Sequence, residues 1–193
     1  MFTGIVRNLG IVKSVKVLQG YNRIVVEAPG LDMVREGDSI MINGACMTLV
    51  DQEESLFSFD VIEESLKLTN FGELVVGSMV NLETSLRLQD TVDGHLVTGH
   101  VDFVTRLLKI NELNEYYFEI NQDFAKYIAL KGSVCLNGVS LTVSELTDKH
   151  FRVSLIPATI EHTNFKSMQV GDLVNVEIDL IARYLERLTS KNA

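Results

Sequence analysis

Apolar and polar residues alternate with a period of two through most of the chain, and a helical period is clear only at its end. In Phe57-Ser58-Phe59-Asp60-Val61 the apolar side chains take every second place, the pattern of a half-buried strand. Phe151-Arg152-Val153-Ser154-Leu155 repeats it in the same phase. Val80 and Leu82, like Val174 and Val176, are expected to point inward, with Asn81, Glu83, Asn175 and Glu177 pointing out. Asn43-Gly44 and Asn137-Gly138 mark tight turns, because both residue types tolerate positive φ. One short helix is expected in each half: Phe124 and Ile128 lie four apart before Lys131-Gly132, and Leu31 to Val34 hold the matching place. Thr84 to Gln89 reads as a linker. After Asp179, a residue suited to capping, Ile181, Tyr184, Leu185 and Leu188 follow an i, i+3, i+4, i+7 spacing. That stripe must be buried, either on its own half or against its counterparts in an oligomer.

The halves are copies. At an offset of 94 residues, Ser39-Ile40-Met41-Ile42-Asn43-Gly44-Ala45-Cys46-Met47-Thr48 falls on Ser133-Val134-Cys135-Leu136-Asn137-Gly138-Val139-Ser140-Leu141-Thr142. Between positions 39 and 83, 14 of 45 residues are identical without a gap, too many for a chance register. Thr3-Gly4-Ile5-Val6 matches Thr98-Gly99-His100-Val101 at an offset of 95, so one insertion or deletion separates the two blocks. Several short strands in each copy of roughly 90 residues suggest a small closed barrel, which leaves no exposed strand edge. The expected fold is all-β: two tandem, similar barrels with a C-terminal α-helix.

Composition narrows the function classes. The chain has 193 residues, 46% hydrophobic and 22% charged, and 17 Lys+Arg against 26 Asp+Glu give a net charge of −9. An acidic chain without blocks of like charge suits neither nucleic acid nor an anionic membrane surface. No apolar run approaches the roughly 18 residues needed to span a bilayer. The N-terminal residues lack the basic-then-apolar pattern of a signal peptide. Two cysteines outside any metal or redox spacing fit a reducing compartment, so a soluble, cytoplasmic protein is expected.

The differences between the copies mark candidate chemistry. Cys46 stands where the second copy has Ser140, each just past an Asn-Gly turn and two residues before a threonine. A thiol or hydroxyl there can reach a ligand, although a lone cysteine is commonly a buried small residue; Cys135, in an apolar run, reads as core. His100 occupies the place of Ile5, which makes it a candidate acid or base or else a solvated histidine. His95 and His100, five apart on one strand, would face opposite ways, which argues against a shared metal. Lys131 and Asp179 fall where the first copy has Gly37 and Ser85, and each also reads as an ordinary surface charge. No phosphate loop and no telling Ser-His-Asp order is present. The residues alone lead to two similar barrels holding two similar ligands.

Three motifs add to this. Met1-Phe2-Thr3-Gly4-Ile5-Val6, Gly94-His95-Leu96-Val97-Thr98-Gly99-His100-Val101-Asp102 and Asn137-Gly138-Val139-Ser140-Leu141-Thr142-Val143 resemble the riboflavin synthase alpha-chain family over essentially the whole chain. Where that family often carries Gly-Gly-His, this chain has Asp93-Gly94-His95. The resemblance implies six-stranded Greek-key barrels over residues 1–88 and 89–178, both lumazine-binding, and a trimerisation helix over 179–193. It implies a transferase, riboflavin synthase, that dismutates two molecules of 6,7-dimethyl-8-ribityllumazine. The products are riboflavin and 5-amino-6-(D-ribitylamino)uracil, in the final step of riboflavin biosynthesis, with no metal or redox cofactor. A homotrimer is implied, with each site formed where one subunit's N-terminal barrel faces a neighbour's C-terminal barrel, and lumazine synthase is a further implied partner.

By the same resemblance, one lumazine contacts Gly4, Ile5, Val6, Cys46, Met47, Thr48, Asp60, Val61, Ile62, Glu63, Glu64 and Ser65. The other contacts Gly99, His100, Val101, Lys131, Ser140, Leu141, Thr142, Ile156, Pro157, Ala158, Thr159, Ile160 and Glu161. His100 is the implied base for the acidic C7 methyl group, Cys46 a candidate nucleophile at C7, and Ser140, Asp179 and Lys131 orient or stabilise charge. Two competing readings are a non-catalytic antenna that holds one lumazine or flavin, and a barrel pair serving as a protein scaffold.

Overall fold

A computed structural model describes residues 1–190; residues 191–193, the end of the expected trimerisation segment, lie outside the described residues. Strands β1 (Asn8–Leu18), β2 (Tyr21–Glu27), β3 (Ser39–Ile42), β4 (Ala45–Glu53), β5 (Leu56–Ile62) and β6 (Met79–Thr84) close one antiparallel barrel in the order β1-β2-β5-β4-β3-β6. Strands β7 (Phe103–Ile110), β8 (Glu115–Glu119), β9 (Ser133–Leu136), β10 (Val139–Leu146), β11 (His150–Ser154) and β12 (Leu173–Ile178) close the second in the same relative order. Even the irregularities repeat. Register shifts after Val12 and Leu49 recur after Leu107 and Val143, and such bulges supply the extra twist that closing a small barrel requires.

Each barrel has its own core. Ile24, Val26, Leu49, Phe57, Phe59 and Val80 fill the first, and Leu107, Phe118, Val143, Phe151 and Val174 the second. A fully buried side chain of this kind contributes about 1.5–3 kcal/mol relative to exposure, so the period-two pattern is what holds the fold. Among the described residues no helix is long and apolar enough to cross a membrane.

The outward faces of β6 and β12 depart from a simple inside-outside alternation. Asn81, Glu83, Asn175 and Glu177 do point out of their barrels, yet they are only 1–3% exposed, because the other barrel covers the asparagines and the leads Thr3-Gly4 and Thr98-Gly99 cover the glutamates. The Asn43-Gly44 and Asn137-Gly138 hairpins, all four residues at positive φ, touch tip to tip: a Cβ on Gly44 would lie 2.8 Å from the Gly138 nitrogen. Around the tips runs a mirrored amide network. Asn81 Nδ2 donates to the Asn137 carbonyl (2.8 Å) and to Asn164 Oδ1 (2.9 Å), and Asn175 Nδ2 donates to the Asn43 carbonyl (2.7 Å) and to Asn70 Oδ1 (3.0 Å). The backbone N–H groups of Asn164 and Asn70 return the bonds to Asn81 and Asn175. Buried amides are tolerated when every group is paired, and a paired network admits one docking register.

The short helices differ from expectation. Leu31 to Val34 is irregular and Ala125–Tyr127 is a single 3-10 turn, held where Phe124 stacks on Phe103 at 4.8 Å. The regular short helices are instead α1 (Glu63–Leu68) and α2 (Pro157–Glu161), which follow β5 and β11 at equivalent places. Elements of five or six residues are too short to display a helical period.

The last helix, α3 (Leu180–Thr189), begins where expected, with Asp179 Oδ1 accepting the Ile181 N–H at 2.8 Å. Its polar face docks on the second barrel through Arg183–Asp102, at 2.7 Å, and through Glu186 to Lys126 and Tyr127. Ile181, Tyr184, Leu185 and Leu188 remain 56–81% exposed, so the apolar stripe faces away from its own barrel.

Two candidate ligand sites

The segment that leads into each barrel crosses to the other one. Phe2 and Val97 pair across the junction, N–H to carbonyl at 2.7 and 3.1 Å. Beyond that bridge Val6 packs on the second core and Val101 on the first. The Gly4 carbonyl accepts the Ser140 N–H (2.7 Å), and the Gly99 carbonyl accepts the Cys46 N–H (2.8 Å). Both glycines have positive φ, and a Cβ would fall 2.7 Å from Ser140 Cβ at Gly4 and 2.6 Å from Cys46 Cβ at Gly99. Only glycine permits this approach. The expected partition of contacts is therefore exchanged within the chain: Gly4, Ile5 and Val6 belong with Ser140, while Gly99, His100 and Val101 belong with Cys46. The crossing of the leads, which a one-dimensional repeat does not reveal, is the reason.

On the first barrel a cleft of about 180 Å³ gathers Cys46, Met47, Glu64, Ser65, Gly99, His100 and Val101 from the expected set, and adds Ala45, Leu68 and Thr69. Thr48 is exposed on the same strand, as are Ile62 and Glu63 at the start of α1. Val61 is buried in the core. The Asp60 carboxylate is held by the Arg23 guanidinium at 2.7 and 2.8 Å, a pairing that raises the already high Arg23 pKa.

On the second barrel Ser140 Oγ lies 2.7 Å from Nδ1 of His95, a residue absent from the expected site set. Burial holds the His95 pKa below the ordinary imidazole value, and the negative charge of Asp179 opposes that shift without cancelling it. The direction of this bond follows the tautomer of the ring: with the proton on Nδ1 the imidazole donates to Ser140 Oγ, and only with the proton on Nε2 does it accept the hydroxyl, the geometry in which a base activates a nucleophile. Nε2 is buried and finds no hydrogen-bond partner among the described residues. Ser140 is thus bonded to His95, while Asp179 caps α3 and acts on the imidazole through its charge. Gly94 admits the arrangement, since a Cβ there would meet Ser140 Oγ at 2.9 Å. Asp93, the departure from Gly-Gly-His, is exposed and faces Arg7 at 3.6 Å.

The remaining expected residues of this side sit on equivalent elements. Leu141 and Thr142 follow Ser140 along β10, and Ile156, Pro157, Ala158, Thr159, Ile160 and Glu161 form the β11–α2 corner, where Ile160 packs on the core. Lys131 has φ +67°, the left-handed conformation that Gly37 takes at +90° in the first copy. For a non-glycine residue that conformation costs about 1–2 kcal/mol. The two expected histidines of the 94–100 motif do separate, His95 to Ser140 and His100 to Cys46. They do so along a crossing segment with one bridge rather than on a regular strand.

Comparison with known proteins agrees with this architecture. The family model for the lumazine binding domain matches residues 3–85 and again 98–179, one match for each barrel. The molecule is in this sense a tandem lumazine-binding-domain protein. Riboflavin synthase of Bacillus subtilis is 37% identical over 99% of this chain and 91% of its own length. That of Mycobacterium tuberculosis is 40% identical over 97% and 98%. The chain belongs to the riboflavin synthase family and is an enzyme of that type. Among solved structures, LumP complexed with riboflavin superposes with a TM-score of 0.85 at 29% identity, covering 92% of this chain and 99% of that one. LumP complexed with 6,7-dimethyl-8-(1'-D-ribityl) lumazine gives 0.83 at 28%, over 92% and 98%.

Proposed function

We propose that the enzyme dismutates 6,7-dimethyl-8-ribityllumazine, passing a four-carbon unit from one molecule to a second to give riboflavin and 5-amino-6-(D-ribitylamino)uracil. The observation that carries this reading is the pair of equivalent positions furnished with different polar groups, Cys46 in a cleft with His100 on the first barrel and Ser140 bonded to His95 on the second. A reaction between two copies of one substrate needs similar binding and unequal chemistry, and this arrangement offers both. Loss of a proton from the C7 methyl group leaves an anion delocalised into the ring, and His100, an imidazole at the cleft rim, is suited to take that proton. The other ring is electrophilic at C7. Ser140, bonded to His95 on the other barrel, is suited to add there, while Cys46 shares the wall of His100 and would meet the ring that loses the proton; Lys131 and Asp179 would supply charge on the side of Ser140. Holding two rings in register supplies much of the acceleration, since effective molarities for well-oriented groups reach about 10⁵–10⁸ M.

The exposed stripe of α3 supports a homotrimer in which the first barrel of one subunit faces the second barrel of a neighbour. Incubation of the purified chain with the lumazine should produce riboflavin fluorescence, with two lumazines bound per chain in the titration. The similarity to LumP bound to lumazine and to riboflavin favours a second reading, a non-catalytic binder. One lumazine per chain and no riboflavin would decide for that reading.

A further inference from the structure

Two buried carboxylates have no part in the chemistry above. Glu83 on β6 and Glu177 on β12 are 3% and 2% exposed, and each is met by neutral donors from the lead of its own copy. Glu83 Oε1 accepts the Thr3 N–H (2.7 Å) and hydroxyl (2.8 Å), and Oε2 accepts the Gly4 N–H (3.0 Å). Glu177 repeats this with Thr98 (2.7 and 2.7 Å) and Gly99 (2.8 Å). Burial raises both pKa values, and the three hydrogen bonds oppose it. The bond pattern requires both oxygens as acceptors, which a carboxylate supplies and an amide does not: in glutamine the NH₂ group would confront the glycine N–H.

What these carboxylates hold is then passed across the junction. Glu177 fixes Thr98-Gly99, whose carbonyl takes the Cys46 N–H on the other barrel and whose next residue is His100; Glu83 fixes Thr3-Gly4, whose carbonyl takes the Ser140 N–H. On their own barrels the same glutamates stand in strand rows that end at the opposite candidate, Glu177–Cys135–Ser140 and Glu83–Met41–Cys46. We propose that Glu83 and Glu177 are crossed positioning residues: each is rooted in one barrel and sets the loop that completes the site on the other. This rests on the reading of the Cys46 cleft and the Ser140 region as ligand sites. It adds a direction of dependence that the repeat alone does not contain.

The test uses the full chain with E177Q and E83Q, read by the alkylation rate of Cys46 and by the imidazole NMR signals of His95 and His100. The crossed arrangement expects E177Q to shift the His100 signals and change Cys46 alkylation several-fold while His95 stays at its wild-type position. E83Q should move His95 and leave Cys46 alkylation within about twofold, well below the roughly hundredfold that a 1 Å misplacement can cost. Thr98→Val and Thr3→Val, which delete one bond of the three, should give the same crossed pattern more weakly and serve if a glutamine variant does not fold. In turnover, E177Q should cost about tenfold in the wild-type background and little in H100Q, a non-additive cycle that general destabilisation would not produce. Disturbance of each glutamate's own barrel, or of both sites alike, would overturn the proposal. The alkylation and imidazole readouts need no turnover, so the crossed pattern stands or falls whether or not riboflavin is formed.

Discussion

The two barrels share strand order, bulges, hairpin tips and the carboxylate that anchors each lead, yet their pockets differ where chemistry would occur. The first barrel presents a thiol beneath an exposed imidazole. The second presents a hydroxyl bonded to a half-buried one. The contrast shows which positions the architecture constrains and which it leaves free. Glycine at 4 and 99 and glutamate at 83 and 177 are dictated by close approach and by hydrogen-bond count. The residues at 46 and 140 share the same backbone bond to a lead but different side-chain neighbours, and there the copies diverge.

Substitutions can break or sharpen that contrast. The largest effect is expected at the first pocket: His100→Gln should lower turnover by about 10²–10⁴-fold, the usual contribution of positioned proton transfer. Lumazine binding should survive, as it should in Cys46→Ser. Riboflavin fluorescence reads the rate and a lumazine titration the binding; a wild-type rate would remove His100 from the base role. Next come the shared features. Asn81→Ala and Asn175→Ala each strip partners from buried groups at about 1–3 kcal/mol apiece and should destabilise equally in urea titrations, because the network is mirrored. Unequal losses would mean that the barrels do not share the junction evenly. Leu185→Glu should leave the fold intact and reduce the assembly to monomers, read by analytical ultracentrifugation; an unchanged mass would detach the α3 stripe from oligomer formation.

The smallest effect concerns pH. His95 has its folded pKa below the unfolded value, so between the two the unfolded chain binds more protons and stability rises with pH. Its contribution is complete above the ordinary imidazole value and is lost as pH falls through it towards the folded value. Burial of Glu83 and Glu177 raises their pKa values and works in the opposite sense, so the measurement is the difference between wild type and His95→Asn. That difference should be flat above about pH 6.5, the ordinary imidazole value, and fall as pH drops below it; parallel curves would contradict the shift.

Much of this was legible along the chain. The 94-residue offset, the alternation in Phe57 to Val61 and the Asn-Gly turns lead to two like barrels, and the capping Asp179 and its stripe to a last helix. The junction was not legible, because alternation tells whether Asn81 or Glu83 points out of a barrel and not whether another barrel waits there. Nor did the sequence reveal that the leads cross, which reassigns Gly4 and Gly99 to opposite pockets. His95 escaped for a narrower reason. At an offset of 95 it falls before Met1, so it has no counterpart against which to stand out. Its one available signal was its place beside Gly94, a small residue next to a polar ring at the start of a motif.

The crossing of the leads also bears on how such a molecule could be divided. Cut between the copies near residue 90, the front piece would keep its thiol but surrender the imidazole that overhangs it, and the rear piece would keep the hydroxyl but lose the glycine strap pressed on it. Neither fragment would be a half-sized enzyme. Tandem fusion has made the twins interdependent, so that neither wall is complete without the whole chain.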